Sequence, residues 1–332
     1  MRTSRLLAWA VLAQAAAPAT ALAEHTRWAQ IRDPAIGEEA RLRQRTENRL
    51  LDYQRDRTST FAETLMNEGA QLRKARVELE GGHAETHASW RIRALYARVL
   101  FSLDLWEGAR NMFLSVLLDP DVTEFVRGDL LADLAISEAR LGKQAIEVAT
   151  YDRAIALEPM PAARSTMMAN QAEAFMVMGR IDEALEGYRA SIETVGIADQ
   201  RTSFLVSPTT YWSFGVALDR AGDLEGALRE IERARAFDPR DKMISGETWF
   251  FVPAYDEAYY AALGHLLTAR RADDIEQKVA SLEYCVIAWK RYLAQAPETD
   301  PWVPIARRRL RQAEAEFASA QKTAQTPTPI ED

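Results

Sequence analysis

Residues 211–239 read YWSFGVALDRAGDLEGALREIERARAFDP, and the spacing within them decides the fold. Tyr211, Phe214, Gly215 and Leu218 fall at i, i+3, i+4 and i+7, one face of a helix. Gly222 marks a turn. A second apolar face follows at Ala227, Ile231 and Ala234, and Asp238-Pro239 ends it, because a proline ring cannot continue a helix and restricts the residue before it. Gly215, Ala227 and Ala234 are small where the two helices cross, so the backbones can approach closely. The stretch predicts two short helices paired antiparallel.

Weaker copies flank it. Residues 128–161 place Leu131, Leu134, Ala135, Gly142, Tyr151, Ala154 and Pro159 in the same register, with Glu138 and Glu147 as departures. Residues 165–198 supply Met168, Ala172, Phe175, Gly179, Ala184 and Tyr188, and residues 90–123 supply Ala97, Leu100, Ala109, Phe113 and Val116, with Arg93 and Asp104 out of pattern. A final copy over 255–298 uses Tyr260, Leu263, Gly264 and Leu267, then Cys285, Trp289 and Tyr292.

On these residues the chain resembles the tetratricopeptide repeat (TPR) family, whose helix-turn-helix unit of about 34 residues stacks into a solenoid. The resemblance implies an all-α, right-handed α-solenoid. Its expected organisation is an N-terminal charged helical region at 24–88 and repeats at about 90–123, 128–161, 165–198, 208–241 and 255–298. A capping helix at 300–321, with Ala306, Leu310, Ala313 and Phe317 on its apolar face, and a disordered tail at 322–332 complete it. The turn glycines at 142, 179 and 222 stand farther apart than one period, so extra residues loop out. The larger insertions are 197–207, with Phe204, Leu205 and Val206, and 242–260, with Trp249, Phe250, Phe251, Tyr255, Tyr259 and Tyr260. The aromatic insertion either fills the groove or meets a partner.

Residues 1–23 carry Arg2 and Arg5, an apolar run, and Ala21-Leu22-Ala23 before Glu24, the layout of a cleaved secretory signal peptide, with a retained membrane anchor as the alternative. Cleavage would remove two of the 41 basic residues and no acid, leaving 39 against 49, a formal charge of −10. An acidic balance disfavours nucleic-acid binding, and the arginine run 307–309 reads as a solvated helix face. With one cysteine, no internal disulfide can form. The expected location is therefore outside the cytoplasm, periplasmic or secreted, in a bacterium.

No phosphate loop, nucleophile elbow or cysteine-histidine cluster is present. His83 and His87 stand at i and i+4 with Glu85 between them, which on one helix face could hold a metal, but Ala84 occupies the position where a zinc protease motif needs glutamate. No cofactor or metal is expected. The leading expectation is a non-enzymatic scaffold of the cell envelope that binds a protein or peptide. The resemblance assigns its groove to Arg98, Asp129, Ile136, Asn170, Glu173, Thr209 and Ser213, joined by Trp249, Phe250 and Phe251 from the insertion. Only Asn170 matches the clamp by which some TPR domains grip a C-terminal carboxylate. A metal-dependent hydrolase using His83 and His87, or a structural subunit of an envelope assembly, are the alternatives.

Overall fold

The structure, a computed structural model, describes residues 40–48, 70–196, 207–245 and 251–325. The signal-like segment, most of the 197–207 insertion, Trp249 and Phe250 lie outside them. Among the described residues every regular element is helical. The chain divides into two compact units, one ending at Pro159 and the other running on from Met160.

In the N-terminal unit residues 40–48 are helical. They precede α1 (Ala70–Gly81), α2 (Trp90–Ser102), α3 (Trp106–Leu117), α4 (Glu124–Arg140) and α5 (Gln144–Leu157). The hairpins are α2/α3 and α4/α5, and α3 packs on α4. The core is the set the spacing predicted: Ala97, Leu100, Ala109, Phe113, Val116, Leu131, Leu134, Ala135, Tyr151 and Ala154 are all buried. Arg93 and Glu138, two of the out-of-pattern residues, each brace their own hairpin. Arg93 reaches Asp119 beyond α3 at 2.7 Å and donates to the His87 carbonyl at 2.6 Å. Glu138, 1% exposed, accepts from the Thr150 hydroxyl at 2.7 Å.

The C-terminal unit holds α6 (Pro161–Val177), α7 (Ile181–Gly196), α8 (Pro208–Arg220), α9 (Leu224–Phe237), the single turn α10 (Lys242–Ser245), α11 (Asp256–Arg271), α12 (Ile275–Gln295) and α13 (Val303–Gln325). Proline opens both α6 and α8, where its missing N–H costs nothing. One continuous apolar core runs from Ala169 on α6 to Ala320 on α13. Cys285 is part of it, fully buried, its thiol pushed up to about 12 by burial and then by Glu316, so it packs as a small neutral side chain. The capping helix extends to Gln325, four residues beyond the expected end.

Four hairpins share one turn. Asp104, Gly142, Gly179 and Gly222 each take positive φ (60°, 70°, 76° and 100°). The next N–H in each case bonds back five residues, Leu105 to Leu100 at 3.0 Å and Lys143 to Glu138, Arg180 to Phe175 and Asp223 to Leu218 at 2.9 Å. This is the Schellman closure, which satisfies carbonyls the helix end leaves free and favours glycine at the left-handed position. Asp104, out of pattern in sequence, does the same job in the first hairpin.

Where α8 crosses α9, a Cβ on Gly215 would stand 2.8 Å from the Ala227 carbonyl oxygen and 2.9 Å from Ile231 Cγ1. A backbone atom cannot step aside, so Gly215→Ala is expected to push the hairpin apart and cost about 1–3 kcal/mol. A urea-denaturation midpoint equal to that of the parent chain would contradict this.

The hairpin α11/α12 departs from the expected repeat. As α8 ascends its partners on α11 descend: Trp212 lies against Gly264, Ser213 against Tyr260, Asp219 against Tyr259 and Arg220 against Asp256. In a stack made by repeating one hairpin, successive first helices run the same way. Here α11 runs antiparallel to α8. Arg235 holds it, gripping Asp241 with Nε and Nη2 (3.0 and 2.8 Å) while Nη1 donates to the Gly264 carbonyl at 3.1 Å and Thr268 at 3.0 Å.

Candidate functional site

The groove positions divide by unit. In the N-terminal unit Arg98 on α2 and Asp129 and Ile136 on α4 are all buried (9%, 5% and 4% exposed). Arg98 Nε donates to Asp133 at 3.3 Å. Asp129 sits one helical turn before Asp133, with Glu158, itself buried, at the end of α5. None of the three presents a broad face to solvent, contrary to what their register as groove positions suggests.

In the C-terminal unit Thr209 and Ser213 on α8 are also buried. The Thr209 hydroxyl shares a hydrogen bond with that of Ser207 at 2.6 Å, and Ser213 Oγ lies 3.0 Å from the Tyr260 hydroxyl on the reversed helix α11. Burial, followed by the charge of Glu173, holds the Tyr260 phenol well above its usual range. Asn170 and Glu173 on α6 are half-buried and keep part of their surface. Phe251 packs edge-on against Tyr260, with ring centroids 5.0 Å apart, and Ile244 and Tyr255 lie against the same core. The described part of the aromatic insertion therefore packs on its own unit, α10 against α8.

Sequence reasoning missed the most polar feature of this unit, a buried network joining α8, α11, α12 and α13. Asp219, 0% exposed, accepts from the Tyr259 hydroxyl and from Arg309 Nε, both at 2.7 Å. Arg309 is thus buried, and only Arg307 and Arg308 of the arginine run face water, which corrects its reading as a solvated face. Arg220 pairs with Asp256 at 2.8 Å and lies over the rings of Tyr259 and Trp302 (4.7 and 5.0 Å). Burial works against the Arg220 charge, but Asp256 and the tyrosines around it hold the guanidinium protonated. Asp300 accepts from Tyr255 (2.7 Å), Tyr292 (3.1 Å) and the Trp302 N–H (2.8 Å). Charged residues on otherwise apolar helix faces were the one available signal. The arrangement is buried and ties the four helices together.

His83 and His87 do not share a helix face. His83 is left-handed (φ 53°), residues Ala84–Thr86 form a single 3-10 turn, and His87 is extended with Nδ1 accepting from the Ser89 N–H at 3.0 Å. Among the described residues no group of three or more His, Cys, Asp or Glu side chains is placed to hold a metal ion. An open cleft of about 300 Å³ lies between α9, α11 and α12, lined by Glu232, Arg235, Thr268, Arg271 and Gln277 among others. Its two guanidiniums are engaged, Arg235 as above and Arg271 with Glu232 at 2.6 Å. No described helix is long and apolar enough to cross a membrane.

No family model and no curated relative matches the sequence. Among solved structures the chain is similar to BtubC (BKLC) from P. vanneervenii, at 14% identity over 88% of this chain and 96% of that one, TM-score 0.40. It is also similar to a chain of the APC/C hetero-tetramer Cut9-Hcn1, at 15% identity over 76% of this chain and 49% of that one, TM-score 0.41. The chain thus spans about half the length of the latter. The fold class rests on the helices described above: an all-α protein built of TPR-like hairpins.

Proposed function

We propose that this chain is a non-enzymatic scaffold that holds a protein or peptide partner outside the cytoplasm, after export on its N-terminal leader. The observation that supports it best is the recurrence of one hairpin turn, twice in each unit, since hairpins of this kind are the building blocks of repeat proteins that bind along exposed surfaces. Export rests on the leader-like residues 1–23 alone.

The covered positions narrow the contact. Arg98, Asp129, Ile136, Thr209 and Ser213 are engaged within their own units, which leaves Asn170 and Glu173 on α6 as the groove positions with surface to offer. A photo-crosslinking residue at position 173, in intact cells, is expected to capture one defined protein that the same residue at exposed Arg311 on α13 does not. Equal capture at both positions, or none from α6 in the folded chain, would overturn the groove assignment. The export reading predicts a cellular form whose mass begins at Glu24; recovery of the whole chain from the cytoplasm alone would defeat it.

A further inference from the structure

At the junction of α2, α4 and α5 the buried carboxyl of Asp129 lies near two further acids. Asp129 and Asp133 stand one turn apart on α4, Glu158 follows α5, and Arg98 comes from α2. Arg98 Nε is directed at Asp133 (3.3 Å), and from α3 Arg110 is turned to Glu138 at 3.7 Å. Asp129 is 5% exposed, and its Oδ2 has no hydrogen-bond partner. An ionised carboxylate there is buried, with Oδ2 unpartnered and two further acids nearby, an arrangement relieved most simply by a proton.

We propose that this junction is a proton-operated device: with Asp129 protonated the α2, α4 and α5 packing is closed, and ionisation of that one carboxyl loosens it. The chemistry agrees with the geometry. Burial pushes the Asp129 carboxyl up from 3.8 to about 7, Arg98 pulling it down and Asp133 and Glu158 pushing it further up. Because the folded value is the higher one, folding takes up a proton. The stabilisation is complete below the ordinary carboxylate range and is lost as pH rises through about 7, with a slope of up to about tenfold in the opening constant per pH unit.

The test uses the purified full chain. Hydrogen exchange of α4 is expected to accelerate between pH 5.5 and 8.5, after correction for the intrinsic chemical rate, by roughly thirtyfold from this one group. Asp129→Asn, which fixes the neutral form, removes that dependence. Carbon-detected NMR of the parent chain is expected to place the Asp129 carboxyl midpoint near 7. A midpoint in the ordinary range near 4, or an unchanged pH dependence in Asp129→Asn, overturns the proposal. Where the variant fails to fold, the parent titration decides alone.

Discussion

Asp219→Ala is expected to destabilise the C-terminal unit by about 3–5 kcal/mol, the cost of leaving a buried charge without its partner. Asp219 is 0% exposed and faces Arg309, 90 residues along the chain and itself 5% exposed. Removing the carboxylate strands that guanidinium and the Tyr259 hydroxyl together at a buried position. Because Arg309 is on α13, the first consequence is release of that helix, read as loss of exchange protection over α13 and a lower urea midpoint. A second variant separates pairing from packing. Asp219→Leu combined with Arg309→Met replaces the pair by apolar volume and is expected to recover most of the loss. If Asp219→Ala shifts the midpoint by less than 1 kcal/mol, the network carries no such role.

Trp289→Ala is expected to cost a further about 3–5 kcal/mol when measured alone, the range for deleting a buried large aromatic. Its ring is fully buried on α12 and meets Tyr259 edge-on at 4.6 Å and Tyr292 at 6.5 Å. Those two tyrosines hold Asp219 and Asp300, so the hole left by the indole lies directly behind the polar network. Trp289→Phe, which keeps most of the apolar contact, is expected to lose less than half as much. Equal losses for the two variants would contradict a role that scales with the apolar contact kept. Unfolding followed by far-ultraviolet circular dichroism avoids the lost fluorophore.

How far the fold could be read from the chain follows from what periodicity encodes. The helix pairs were legible because a 3.6-residue apolar spacing and a left-handed glycine are both local, and the buried sets around Leu131, Ala172 and Tyr211 follow directly. Asp104 concealed a turn of the same geometry because aspartate tolerates that backbone without advertising it. Direction was not legible: the stripe of Tyr260, Leu263 and Leu267 reads the same whether α11 runs with α8 or against it. The site was legible only as register. The family resemblance assigned Thr209, Ser213, Arg98, Asp129 and Ile136 to a groove face, but what covers a face is decided by residues far along the chain, as Tyr260 covers Ser213. Arg309 was misread for the same reason, since its partner Asp219 is remote.

The reversal at α11 also bears on how this protein could change in length. An array that repeats a single hairpin can gain or lose members by duplication or deletion, each new member docking as its predecessor did. Here the surface that α8 and α9 would offer to another like member is taken by a helix running the opposite way and pinned by Arg235 and Arg220. Insertion of a hairpin after Phe237 would have to break those pins and rebuild them elsewhere, so the number of units on this side is fixed by geometry, and families of variants should differ in length at the other end.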